Sequence, residues 1–163
     1  MSPAWAYFGP VLLLGLLLGA VPGVIWLRRR RGLPLIIAAA AALAGAELWH
    51  GPLGAADRFA TVVEQSATQR LADWEMSQVT AHLHRNPLSR RLLLSGRADD
   101  FQRSELVRIM SDVPGVGRAA WDQSSGIPLM LESAAVSLLG FLGGLLLAYL
   151  VELRRRYNAQ WRW

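Results

Sequence analysis

Apolar positions in this chain gather in three long runs, and the periodic patterns of a folded domain appear only between the second and third. The first run, Ala4 to Leu27, includes Val11-Leu-Leu-Leu-Gly-Leu-Leu-Leu-Gly-Ala20. It exceeds the roughly 20 residues that an α-helix needs to cross a hydrocarbon core. The second, Leu33 to Trp49, sits near the lower limit of about 17 residues and is softened by five consecutive alanines, Ala38 to Ala42. The third, Ile127 to Leu153, is long enough to span with tilt. The pattern predicts transmembrane helices over 4–27, 33–50 and 127–153, a domain over 55–124, and a basic, aromatic tail over 154–163.

Between the second and third runs the periodicity changes. Phe59, Val62, Val63, Ala67, Leu71 and Trp74 have helical spacing within Asp57 to Trp74. Val79, Ala81 and Leu83 alternate with Thr80, His82 and His84, the period of a half-buried strand. Arg85-Asn-Pro-Leu-Ser89 supplies a turn, and Arg91 to Ser95 a second strand stopped by Gly96. Asp99 offers an N-cap, with Gln102 three residues on to close a capping box. Leu106, Ile109, Met110 and Val113 share one side of the helix that follows, and Pro114-Gly115 breaks it. A third short strand is expected over Val116 to Trp121. The expected fold class is therefore membrane α-helical, with three spans plus a small α+β domain of order α-β-β-α-β. Both amphipathic helices should cover one face of the sheet.

Charge then sets direction. All 17 basic residues are Arg, and the net charge is +5. The stretch from Gly51 to Ile127 holds nine Arg and nine Asp/Glu, so the surplus lies outside it. It concentrates in Arg28, Arg29, Arg30 and Arg31 after the first run and in Arg154, Arg155 and Arg156 after the third. Such placement belongs to membrane topology and lipid headgroups rather than to a nucleic-acid groove, and no nucleic-acid partner is expected. Under the positive-inside rule both clusters are cytoplasmic, which requires an even number of spans between them. The N-terminus and the domain then lie outside and the C-terminus inside. A signal peptide would carry its positive charge before the apolar run, not after it, so the first run reads as an uncleaved span. Trp5, Tyr7, Trp26, Trp49, Tyr149 and Tyr157 lie near span ends, where amphipathic rings favour the headgroups.

Leu92-Leu-Leu-Ser-Gly96, a helix of about a dozen residues and then Val113-Pro-Gly-Val116 resemble the BON domain family, in which a strand ending V-x-L-x-G precedes a helix, V-P-G-V and a last strand. The resemblance covers roughly Phe59 to Asp122. It implies a periplasmic module that binds phospholipid or envelope partners, with structural roles for Gly96, Pro114 and Gly115 and no catalytic residues.

Few residues offer chemistry. With no Cys, disulfides and thiolate sites are excluded. His82 and His84 share a strand face, but two imidazoles fall short of the three or four ligands a zinc site needs. His50 is alone near any span, which excludes a dihaem centre; no cofactor and no metal are expected. Glu47 and Glu132 each lie about a turn inside the outer end of a span, so an intramembrane proton-sharing pair stands beside snorkelling or pairing with His50 or an Arg of the domain. Glu152, four residues before Arg156, suggests a helix-surface pair. Arg90, Arg91 and Arg97 are the expected contacts of the domain with lipid or a partner. Gly15, Gly19 and Gly23, and Gly140 and Gly144, form small-residue ridges that serve either packing within the chain or docking to another membrane protein. No phosphate loop, nucleophile elbow or H-E-x-x-H is present. The expectation is a non-enzymatic accessory or scaffold subunit of a larger bacterial inner-membrane complex, such as a respiratory or photosynthetic one. The alternatives are a membrane-anchored module for phospholipid or envelope components and, last, a proton-coupled transport protein.

Overall fold

A computed structural model describes residues 2–29, 32–122 and 126–160. Arg30, Arg31, the last two residues of the expected domain and the final three of the tail lie outside the described residues. The chain divides into two compact units, one formed by Met1–Tyr7 with Leu53–Glu132, the other by Phe8–Pro52 with Ser133–Trp163.

Among the described residues, three helices are long and apolar enough to cross a membrane: α1 (Pro3–Arg29), α2 (Leu33–His50) and α5 (Leu129–Gln160). Pro34 enters α2 in its first turn, where its missing N–H costs nothing. The helix α5 continues seven residues past Leu153, through the arginine cluster to Gln160, where the sequence suggested a separate tail.

The first unit contains α3 (Ala55–Asp73), β1 (Val79–Arg85), β2 (Leu88–Gly96), α4 (Asp100–Ser111) and β3 (Arg118–Ala120). The sheet order is β1-β2-β3, antiparallel for the first pair and parallel for the second. Two strand boundaries differ from expectation. β2 begins at Leu88, because the hairpin turn occupies only Asn86 and Pro87. β3 shrinks to three residues. The expected capping box forms: the Gln102 N–H donates to Asp99 Oδ1 (2.7 Å), and the Asp99 N–H to Gln102 Oε1 (3.1 Å).

One sheet face carries Val79, Ala81, Leu83, Leu92, Leu94 and Ala119, all buried. The registers Leu83↔Leu92 and Leu92↔Ala119 line them up across three strands. Phe59, Ala60, Val63, Ala67 and Leu71 from α3, and Leu106 and Met110 from α4, complete this core. Each large side chain fully withdrawn from water contributes roughly 1.5–3 kcal/mol. Gly115 (φ +99°) closes the corner after α4 beneath Val63 and Phe59, where a Cβ would meet Val63 Cγ2 at 2.6 Å. Tyr7, from the first turns of α1, packs its ring on Phe59 at 5.4 Å.

One N–H on each sheet edge is capped by a side chain. On β1 the Leu83 N–H, pointing away from β2, donates to Glu64 Oε1 (3.0 Å), and Arg85 Nη2 holds the other oxygen at 2.8 Å. On β3 the Ala119 N–H donates to Ser111 Oγ (3.1 Å). Unpaired strand edges recruit other chains, and each of these caps removes one open donor.

Candidate functional site

The helical unit is organised by residues four apart. Buried positions recur at Val11, Gly15, Gly19 and Gly23 on α1, at Ala38, Ala42 and Ala46 on α2, and on α5 in two rows, Ser133 and Ser137, then Gly140, Gly144, Ala148 and Glu152. A spacing of four keeps one face toward a neighbour, and small residues there let backbones approach.

The two glycine ridges face each other. A Cβ added at Gly15 would strike the Ser137 carbonyl oxygen, and one at Gly19 the carbonyl of Phe141. At Gly23 it would meet Leu145 Cδ2 at 2.9 Å and Ala148 Cβ at 3.0 Å. From the other side, Gly140 lies on the backbone of Leu12 and Leu16, and Gly144 on that of Leu16 and Ala20. Residue numbers rise together on both helices, so α1 and α5 run parallel. Gly143, one residue off the ridge, has nothing within 4 Å of such a Cβ. On α2, Gly45 receives Leu14, and Ser137 Oγ donates to the Ala42 carbonyl at 3.0 Å.

At the C-terminal ends of α1 and α5 a polar cluster closes the seam. Glu152, its side chain 12% exposed, accepts from Arg28 Nε (3.4 Å) and Arg156 Nε (3.3 Å) and lies 3.7 Å from Arg155 Nη1. The carboxylate expected to make a local pair with Arg156 therefore also holds Arg28, from the other arginine cluster. Arg29 and Arg154 are exposed beside them.

No family model matches the chain, and no curated protein or solved structure matches it. The site is therefore defined by its own geometry.

The remaining residues singled out by sequence separate by environment. Glu132, in the first turn of α5, pairs with Arg90 Nη1 at 3.4 Å, while Arg90 Nε donates to the Gly115 carbonyl at 3.0 Å. Arg91, its side chain 14% exposed, is ion-paired with Asp122. Of the three arginines expected on the domain surface, only Arg97 is exposed. It lies where β2 ends at Gly96 (φ +132°), whose Cα packs against the Gln78 carbonyl. Trp74, after the last turn of α3, and Phe101, in the first turn of α4, stand 54% and 75% exposed at this same end. It is the end remote from Leu53 and Glu132, because α3 runs about 28 Å from one to the other.

Glu47 is exposed on α2. It shares the outward side with Leu33, Ile36, Ile37, Ala40, Ala44 and Leu48. His82 lies on the exposed sheet face beside a shallow groove lined by Thr61, Glu64, Gln65, Thr68 and Gln69. The His84 ring nitrogen Nδ1 lies 3.0 Å from the Pro87 carbonyl. Among the described residues no three His, Asp or Glu side chains are grouped to hold a metal. The outward turn of Glu47, the exposed Phe101 and the collecting role of Glu152 went unread in the sequence, and Trp74, expected with Val62 on the apolar face of the first domain helix, instead stands exposed just past the end of α3, as Val62 does on its outer side. A carboxylate within an apolar helix and isolated aromatics beside turns are the signals that point to the first two.

Proposed function

We propose that the protein is a non-enzymatic accessory or scaffold subunit of a larger bacterial inner-membrane assembly. Its helices α1, α2 and α5 span the membrane, with the N-terminus and the α3–β3 domain periplasmic and the C-terminus cytoplasmic. The meeting of Arg28 and Arg155–Arg156 on Glu152 supports this orientation, since it gathers both basic clusters at one end of the helical unit.

The observation that carries the docking role is the outward face of α2. The glycines of α1 and α5 are spent on each other, whereas α2 turns Ala40, Ala44 and Glu47 outward among large apolar residues. A carboxylate on a membrane helix is stabilised by a donor from a neighbour, and small residues beside it admit a close-packed partner helix. Purification of the full chain in mild detergent tests the reading. A membrane polypeptide should co-purify with the wild type and be lost from Ala40→Leu/Ala44→Leu. A lone monomer at every protein concentration removes the proposal.

A second reading is favoured by the remote end of the domain, where Trp74, Phe101 and Arg97 stand exposed together. Two exposed aromatic side chains and a cation at one end of the domain suit a phospholipid or envelope surface, as the resemblance to BON domains implies. Full-length protein in nanodiscs should bind added anionic vesicles through this end and lose that binding in Trp74→Ala/Phe101→Ala. Unchanged binding in that variant ends the reading. For proton-coupled transport the support is weakest, because Glu132 is already paired with Arg90.

A further inference from the structure

We infer that the C-terminal ends of α1 and α5 form a clamp for the phosphodiester headgroup of an anionic phospholipid, built by Arg28, Arg155 and Arg156 around Glu152. The inference rests on the reading of α1 and α5 as membrane spans and gives their basic ends a ligand. One carboxylate gathers three guanidinium groups, leaving two positive charges uncompensated, with Arg29 and Arg154 adding to the excess. Arg28 and Arg156 approach Glu152 through Nε, so the Nη groups of each remain for a second oxyanion. The side chains of Arg28, Arg155 and Arg156 are 48%, 60% and 61% exposed, open to a ligand arriving from outside. Planar guanidinium forks match phosphate oxygens, and an anion among them also relieves their mutual repulsion.

A lipid, rather than soluble phosphate, is selected by what precedes the cluster. Directly before it α1 exposes Ile25 and Trp26, and α5 exposes Leu150, Val151 and Leu153. These are surfaces for acyl chains, continuous with the arginines that hold the phosphate. Glu152 is then a positioning residue: it fixes the three guanidiniums and does not itself contact the lipid.

The test uses the full chain in neutral detergent, with phosphatidylglycerol or phosphatidylcholine added and bound lipid counted by native mass spectrometry. Phosphatidylglycerol should bind about tenfold more tightly than phosphatidylcholine and resist competition by millimolar inorganic phosphate. Arg155→Gln/Arg156→Gln, both largely exposed, should keep wild-type helicity and lose about tenfold in that affinity. The decisive variant is Glu152→Gln, which removes a negative charge and so raises the net charge by one. A diffuse attraction would strengthen, whereas a clamp held by that carboxylate weakens several-fold. Equal binding of the two lipids, displacement by inorganic phosphate, or tighter binding by Glu152→Gln overturns the proposal. A chain that stays in solution without detergent instead fails the spanning reading itself, and the two results are told apart by fractionation before any lipid is added.

Discussion

Arg28 and Glu152 meet at 3.4 Å although 124 residues separate them in sequence. The bond joins the last turn of α1 to α5, whose own Arg155 and Arg156 share the same carboxylate. Helices running in parallel with their basic ends together are what the positive-inside rule requires of a chain whose clusters flank two intervening spans.

That arrangement makes the topology measurable. The chain has no cysteine, so single replacements report cleanly. In intact cells Ser77→Cys, exposed between α3 and β1, should react with a membrane-impermeant thiol label, whereas Asn158→Cys near the end of α5 should react only after lysis. The reverse pattern inverts the orientation.

The glycine seam carries its own control. Gly144→Val drives a side chain into the backbone of Leu16 and Ala20 and should cost at least the roughly 1–3 kcal/mol of overpacking. Gly143→Ala, with open space around it, should change stability by no more than about 1 kcal/mol. Thermal melts in detergent compare the two, and equal losses would mean that the ridge does not pack as described.

Two serines one turn apart on α5 predict opposite results. Ser137 Oγ donates to the Ala42 carbonyl, so Ser137→Ala should destabilise by about 0.6 kcal/mol, as for interhelical bonds in other membrane proteins. Ser133 Oγ is buried with no partner among the described residues, so Ser133→Ala should be neutral or stabilising. Steric-trapping or denaturation measurements on both variants decide it.

Glu64 guards the outer edge of β1. Glu64→Leu removes the acceptor for the Leu83 N–H and the partner of Arg85, which should cost about 1–3 kcal/mol and open the strand to pairing with a second copy. Size-exclusion chromatography in detergent should show higher oligomers for this variant. A wild-type profile together with wild-type stability would rule out the capping role.

Elements whose cause is local were legible in the sequence. Run length specified the three apolar helices, period-two alternation the β1 strand, and the Asp99–Gln102 spacing the start of α4, because each depends on residues within a few turns of one another. The true start of β2 was hidden, since Leu88 and Ser89 read as part of the turn and the strand was expected only from Arg91, beside the charged Arg90. Glu132, Asp122 and the Gly115 carbonyl, all distant in sequence, satisfy those arginines and let the strand continue through them. The same distance concealed the match of the glycine ridges. A small-residue stripe shows which face of a helix is suited to close approach, but not which helix approaches it. The fit of α1 and α5 into each other's grooves, the carboxylate that α2 leaves facing outward and the arginine that Glu152 draws in from the far side of the sequence emerge only in the folded chain. Pairings of this kind depend on shape and charge brought together by the folded chain, and no local spacing encodes them.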